Sequence, residues 1–305
     1  MTHRASDGKR RLDKRRAGDE KVGYILGGFP ILLLLIILFV PMLYSFYLSL
    51  FETTALKVTP EFIGLRGFSE LFKDKYTWVV IRNSIIWTVV VASCQLTIGL
   101  FSALLLKDPF PGRWFVRGLI ILPWVIPGVV SGMLWRLIYD AQIGLMNYFL
   151  LSVNLIHTVV DWLGLPKLAL FSVIFTAIWK GFPFSTLMCL AALQTVPQEN
   201  YEAASIDGAN EWQKFIFITI PGIGPVLRLT MLLISVWTFN YFEIIWVMTR
   251  GGPVRSTHIF PTYIYETSFR NFNFGNASRI AVVSFIIVSI LTLLYLRQIK
   301  KSEQI

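Results

Sequence analysis

Three places in the apolar part of the sequence combine helix breakers with polar or aromatic side chains. They are residues 123–128 (Pro-Trp-Val-Ile-Pro-Gly), 179–183 (Trp-Lys-Gly-Phe-Pro) and 237–243 (Trp-Thr-Phe-Asn-Tyr-Phe-Glu). Interrupted backbone inside a membrane is tolerated where it lines a cavity. Aromatic faces stack on the C–H faces of sugar rings, while amides and hydroxyls bind ring hydroxyls, so this combination favours a carbohydrate ligand. Ordinary packing or an interfacial position is the alternative role for Trp124 and Trp237.

Lys180 is the most informative of these residues, because an ammonium group inside a membrane is costly and usually has a function. It could bind an anionic group on a ligand, such as a sulfonate or phosphate, or pair with Glu243. Snorkelling or a structural pair is the alternative. For Thr238, Asn240 and Tyr241 the alternative is hydrogen bonding between helices.

The elements that must position these residues are membrane spans. The chain of 305 residues is 55% hydrophobic and only 15% charged, with a mean hydropathy of +0.62, which is too apolar for a soluble domain. Six apolar runs are long enough to cross about 30 Å of hydrocarbon. They cover approximately residues 24–49, 78–106, 115–138, 169–193, 223–248 and 280–296. We therefore expect an all-α, polytopic membrane protein with six transmembrane helices.

The charges predict the orientation of these spans. With the tail, the second and fourth connections and the C-terminus on one side, that side carries sixteen Lys or Arg residues and the other carries eight. The positive-inside rule then places both termini and the loop around Glu202 in the cytoplasm. Residues 1–21 hold eight basic and four acidic residues and predict a disordered cytoplasmic tail that touches membrane lipid. A basic face for nucleic acid is not predicted, since the charges flank apolar runs.

The remaining reactive side chains do not form a pattern typical of an enzyme. Cys94 and Cys189 lie inside apolar runs and are expected to be free structural thiols, while His3, His157 and His258 lack metal-ligand spacing. The sequence contains neither a phosphate-binding loop nor a nucleophile elbow, so the chain is not expected to hydrolyse ATP itself. Energy for any active process must then come from a partner.

A polar stretch between the fourth and fifth runs, Glu202-Ala-Ala-Ser-Ile-Asp-Gly208, is typical of a short helix presented to another protein. Ala204 and Gly208 are one helical turn apart and small, so a partner could approach the backbone closely. Glu202 suits the first turn of such a helix. An ordinary interfacial helix is the alternative.

The same stretch resembles the EAA loop of bacterial ABC importer permeases, with Glu202-Ala203-Ala204, three residues, Gly208, nine residues, Ile218 and then Pro221. In that family the loop is the cytoplasmic coupling helix that docks into the ATPase subunit. The resemblance implies a coupling helix at about residues 199–213. It implies contacts to the ATPase from Glu202, Ala203, Ala204, Asp207 and Gly208. Ile220 departs conservatively from the usual Leu.

Further segments are similar to the sugar-transporting branch of these permeases, over roughly residues 24–296. They are Phe62-Ile63-Gly64-Leu65 with Phe68, Asn83-Ser84, Gly251-Gly252-Pro253 and Phe274-Gly275. The resemblance implies the type I, MetI-like permease fold. It also implies that substrate is bound by Trp124, Gly128, Lys180, Gly181, Thr238 and Tyr241, and Asn240 lies in the same stretch.

The resemblance also implies an organisation and a set of partners. The expected parts are the tail (1–21), a first span with an external loop (22–78), the permease core (79–296) and a cytoplasmic C-terminus (297–305). The partners would be a second homologous permease subunit, a homodimeric ATPase that binds ATP and Mg, and an external solute-binding protein, in a bacterial cytoplasmic (inner) membrane. This chain would need no cofactor or metal.

Two other classes of protein are weighed against the permease. An ion-coupled secondary transporter would need a buried carboxylate relay, and Glu243 is nearly alone among the spans. A membrane-embedded enzyme or scaffold has no reactive cluster in its favour.

Overall fold

The computed structural model describes residues 28–54 and 60–302, with the backbone alone for residues 299–302. The predicted tail (1–21) lies outside the described residues, as do parts of the predicted first span, external loop and C-terminus (22–27, 55–59 and 303–305).

The expectation of an all-α fold is confirmed, with one small exception. Two strands, β1 (Phe51–Glu52) and β2 (Glu61–Phe62), pair antiparallel in the loop after the first span. The helices are α1 (Gly28–Leu48), α2 (Arg66–Lys73), α3 (Lys75–Leu105), α4 (Arg113–Val125), α5 (Gly128–Ile138), α6 (Leu145–Ser152), α7 (Pro166–Leu193), α8 (Gln198–Ile206), α9 (Glu211–Lys214), α10 (Ile220–Phe239), α11 (Glu243–Met248), α12 (Phe260–Tyr265) and α13 (Phe274–Ser302). Two π-helical turns, Phe215–Thr219 and Glu266–Arg270, precede α10 and α13.

Five of these segments are long and apolar enough to cross a membrane, and a bent pair makes the sixth. The five are Gly28–Leu48, Lys75–Leu105, Pro166–Leu193, Glu211–Met248 and Phe274–Gln298. The third predicted run, residues 115–138, is not one helix but α4 and α5, which meet at 97°. Pro127 has no N–H to bond to the carbonyl of Pro123, and Ile126 has an extended backbone that ends α4. The prediction of six spans therefore holds only if the bent pair counts as one.

The other two predicted interruptions have different outcomes. Pro183 was expected to act as a helix breaker, but α7 continues through it from Pro166 to Leu193. The fifth run is interrupted, because α10 ends at Phe239 and α11 begins at Glu243, although Glu211–Met248 still counts as one span. In the third run, two prolines four residues apart interrupt the helix. The single proline inside α7 removes one backbone hydrogen bond, and packing can offset that loss.

The core lies where α3 and α7 pack together with α5 and α11. Fully buried side chains such as Trp87, Val91, Val173 and Ile244 form its largest apolar cluster. The first span, α1, lies at the periphery, where Phe46 contacts Phe285 of α13 edge to face at 5.6 Å. This arrangement leaves α7 in the middle of the fold, with the cavity described below beside it.

Candidate functional site

The three sequence interruptions converge on one cavity of about 130 Å³ between α3, α4, α7 and α10. Five of the seven predicted ligand-binding residues line it. The lining comprises Trp87, Val91, Gln95, Trp124, Ala177, Lys180, Gly181, Phe184, Ile234, Trp237, Thr238 and Tyr241. Residues that are more than 100 positions apart in the chain therefore share one concave surface, and their role in binding a ligand stays a prediction.

Gly128 and Asn240 are the two predicted residues that do not line the cavity. Asn240 is exposed, and its side-chain amide donates to the carbonyl of Val236 at 2.9 Å, so it closes the end of α10. Gly128 is buried beside the lining, where an added Cβ would lie 3.2 Å from the hydroxyl oxygen of Tyr241 and would overlap Glu243 Oε2. Its lack of a side chain lets α11 approach the first residue of α5.

Lys180 faces the cavity, but its ammonium group bonds to the backbone of the broken span. Nζ donates to the carbonyl oxygen of Ile126 at 2.5 Å and, more weakly, to that of Trp124 at 3.4 Å. The salt bridges within the described residues do not include a Lys180–Glu243 pair. The observed partners of this cation are backbone carbonyls, whereas binding to an anionic group on a ligand stays a prediction.

Three lining residues of α3, Trp87, Val91 and Gln95, were not predicted from the sequence, and two of them form hydrogen bonds. Trp87 is fully buried and donates its indole Nε1–H to the carbonyl of Thr238 at 2.8 Å. Gln95 donates to the carbonyl of Ala177 at 2.8 Å and lies over Gly181, where a Cβ would overlap its amide. A lone amide in the middle of an apolar run was the available signal for Gln95, because such groups are costly in hydrocarbon.

An aromatic row borders the open side of the cavity. The ring of Phe184 lies 6.0 Å from that of Trp124 and 5.0 Å from that of Trp237. Trp124 is 45% and Trp237 53% exposed in this chain, so both indoles present free faces. The row provides apolar stacking surface beside the hydrogen-bonding groups of the cavity.

A second candidate surface is formed by the loop between α7 and α10. The predicted coupling helix at about 199–213 is in fact two helices, α8 and α9, separated by a tight turn. Gly208 has a φ of +79°, its N–H donates to Ser205, and the N–H of Ala209 donates to Ala204, which together terminate α8. Asn210 and Gln213 then begin α9 by exchanging side-chain to backbone hydrogen bonds of 2.8 Å.

The two parts of the sequence motif fold against each other. The hydroxyl of Tyr201 in α8 lies 2.9 Å from that of Thr219 at the start of the fifth span, and Lys107 Nζ lies 4.1 Å above the Tyr201 ring. A groove of about 600 Å³ runs along this contact. It is lined by Thr195, Val196, Pro197, Asn200, Ala203, Ala204, Asp207, Phe217, Ile218, Pro221 and Gly222.

The predicted contact residues of this loop are all accessible. Glu202, Ala203, Asp207 and Gly208 are exposed and Ala204 is half-buried. An added Cβ at Gly208 would have open space around it within the part of the chain that the structure describes. The loop therefore presents a helical surface and a groove that could be occupied by another protein.

Fold and sites together define a polytopic membrane protein with a cavity between its spans and a helical loop at one end. Residues 95–301 match the family described as the binding-protein-dependent transport system inner membrane component, and the chain belongs to this family. Its expected class, an ABC importer permease with an inner-membrane location, is thereby confirmed.

Individual relatives agree with this assignment along nearly the whole chain. The chain is 32% identical over 287 residues to the trehalose/maltose transport system permease protein MalF of Thermococcus litoralis, covering 93% of this chain and 95% of the relative. It is 30% identical over 287 residues to the sulfoquinovosyl glycerol transport system permease protein SmoG of Agrobacterium fabrum, covering 94% and 92%.

A solved structure confirms the fold. This is a bacterial alginate ABC transporter in complex with an alginate pentasaccharide-bound periplasmic protein. One of its chains superimposes with a TM-score of 0.80 at 21% identity, covering 92% of this chain and 94% of that one. The predicted type I permease architecture is therefore the observed one, whereas the orientation of the termini stays a prediction.

Proposed function

We propose that this chain is the permease subunit of an ATP-driven importer of a carbohydrate or sugar derivative. The observation that carries the proposal is that the cavity and the coupling loop share two helices. α7 runs from Lys180 and Gly181 at the cavity to Leu193, a few residues before α8. α10 runs from the motif's Pro221 back to Thr238 at the cavity. A movement of α8 would therefore reach the cavity through two continuous helices.

The substrate class is proposed from the chemistry of the cavity. Exposed indoles suit the C–H faces of a sugar, and Gln95, Thr238 and Tyr241 offer amide and hydroxyl groups for its oxygens. Relatives named for trehalose/maltose and sulfoquinovosyl glycerol support this class. Because a volume of 130 Å³ is below the ~300–1,000 Å³ of ordinary ligand sites, we expect a second permease subunit to supply the remaining wall.

We propose that the energy comes from ATP hydrolysis by a partner ATPase, which binds ATP and Mg on the cytoplasmic side of the membrane. Closure of an ATPase dimer would draw together the two coupling loops, and the spans would change from inward-open to outward-open. In this chain Glu202, Ala203, Ala204, Asp207 and Gly208 would contact the ATPase. Both termini would then lie in the cytoplasm, and an external binding protein would deliver the sugar.

Reconstitution tests this proposal. The chain and the subunits that copurify with it are placed in liposomes, with ATP in the compartment that faces the loop and a sugar-loaded binding protein on the other side. We expect uptake that requires ATP, and an at least tenfold loss with Trp237→Ala but not with Trp114→Ala, which is 79% exposed at the start of α4. Uptake by this chain alone without ATP would instead support an ion-coupled transporter.

A further inference from the structure

The break between α4 and α5 exposes backbone groups of opposite polarity. α4 has 13 residues and ends at Val125, so its last carbonyls lack N–H partners further along the helix. α5 has 11 residues and begins at Gly128, where its first N–H groups lack carbonyl partners. The C-terminal end of a helix carries partial negative charge and the N-terminal end partial positive charge.

A side chain of matching charge lies at each of these two ends. At the end of α4, the Lys180 ammonium donates to the carbonyls of Trp124 and Ile126. At the start of α5, the Glu243 carboxylate occupies the space that a side chain at Gly128 would fill, with its Cδ 3.1 Å from the position of that Cβ. The cation thus faces the negative helix end and the anion faces the positive one, which is the stabilising arrangement.

The two charges come from the two spans that flank the coupling loop. Lys180 is in α7, which leads into α8, and Glu243 is the first residue of α11, in the span that follows α9. The break itself forms part of the cavity wall through Trp124, and Tyr241 beside Glu243 lines the same cavity. Any relative movement of these two spans would therefore change both contacts to the break.

We propose that Lys180 and Glu243 are positioning residues that clamp the α4–α5 break in its bent form and thereby hold Trp124 in the cavity wall. Only the expected effect of this clamp on transport rests on the proposed function. The clamp itself is a property of this chain. Removing the Lys180 ammonium would leave the carbonyls of Trp124 and Ile126 without this donor, and neutralising Glu243 would remove a negative charge from the positive end of α5. Either change would favour straightening or spreading of the pair.

Distance measurement between spin labels tests the clamp without reference to transport. Phe115 in α4 and Leu137 in α5 are 56% and 59% exposed, and both are replaced by Cys in the full chain carrying Cys94→Ala and Cys189→Ala. At 1.5 Å rise per residue, the labelled positions are about 22 Å apart along axes bent by 97°, and about 33 Å apart in a straight helix.

We expect Lys180→Met to shift or broaden the distances towards the longer value, and Glu243→Gln to act in the same direction. Lys180→Arg should keep the parental distances because it retains the charge. Lys167→Met is the matched control, since Lys167 is exposed in the first turn of the same helix. Parental distances in Lys180→Met, or equal changes in Lys180→Met and Lys180→Arg, would overturn the clamp.

Uptake is measured in parallel on the unlabelled variants. We expect Lys180→Met to lose at least tenfold in uptake, with Lys180→Arg restoring most of it. A distance shift in Lys180→Met, together with no ATP-dependent uptake by the parental protein, would count against the proposed function and leave the clamp supported. Lost uptake with unchanged distances would count against the clamp alone.

Discussion

The indole Nε1–H of Trp87 donates to the backbone carbonyl of Thr238 at 2.8 Å and so ties α3 to α10 at the cavity. Trp87 is fully buried, and its ring also lies 6.3 Å from that of Tyr241. One side chain therefore holds in register two helices that each contribute to the binding surface.

Replacing Trp87 with Phe should destabilise the protein by about 1–3 kcal/mol, through the lost hydrogen bond and the space left by the smaller ring. The measurement is the apparent Tm in detergent, with Trp114→Phe as the control because Trp114 is 79% exposed. Equal Tm values for the two variants would show that the Trp87–Thr238 bond does not stabilise the fold.

Gly181→Ala should impair substrate binding more than folding. The new Cβ would overlap the Gln95 amide, so that side chain must leave its bond to Ala177 at a cost of about 1–3 kcal/mol. We expect a higher KM for uptake, and a smaller increase when Gln95→Ala is added to make space. Gly118→Ala is the control, since no atom of the described residues lies within 4 Å of the Cβ added there. An unchanged KM in Gly181→Ala would exclude this steric role.

Two explanations are possible for the glycine at position 208 of the loop between α7 and α10. Its φ of +79° favours residues that tolerate a left-handed backbone, and for an alanine this conformation costs about 1–2 kcal/mol. Close approach of a partner would instead favour the smaller side chain. We expect Gly208→Asn to retain more ATP-dependent uptake than Gly208→Ala, because asparagine adopts this conformation more readily. The reverse order would show that contact with the partner decides.

His258 should make the stability of the protein sensitive to pH. It is 1% exposed, with Nε2 2.8 Å from Glu266 Oε2 and Nδ1 3.1 Å from the Thr262 hydroxyl. Burial lowers the pKa of the imidazole, with Glu266 opposing the shift and Arg255 adding to it. The folded state thus binds the proton less readily than the unfolded chain, in which the histidine pKa is about 6.5.

Stability linked to His258 is therefore complete above that pH and is lost as the pH falls below it. The measurement is the apparent Tm at pH 7.5 and 5.5, where we expect a decrease at the lower pH that becomes smaller in His258→Gln. His157→Gln serves as the control because His157 is exposed. A decrease of the same size in His258→Gln would assign the pH dependence to other groups.

Much of the fold was predictable because its signals are local in the chain. Apolar run length identified the spans, and fixed spacing identified the motif from Glu202 to Pro221. The prolines at 123 and 127 indicated an interruption in the third run, although its 97° angle was not predictable. Bend angles depend on what packs around a break, and here Lys180 and Glu243 come from distant spans.

Part of the candidate site was also predictable, because some of its signals are local in the chain. Trp124, Lys180 and Thr238 lie beside breaks that can be seen in the sequence, and the structure places them around one cavity. Gln95 and Trp87 lie in α3, which is apolar on all sides, so no periodic face indicated which side chains point inward. Asn240 does not line the cavity because it follows the last residue of α10 and its exposed side chain bonds back to the carbonyl of Val236.

The sequence by itself determined that this chain is a membrane protein with a polar helical loop between its fourth and fifth spans, because hydrophobicity and motif spacing are properties of short stretches. The tertiary structure decided which polar groups share a cavity, that Lys180 bonds to backbone carbonyls, and that the coupling segment is two helices. The physical reason is that a polar group in an apolar environment must be satisfied by whichever donor or acceptor packing brings within reach.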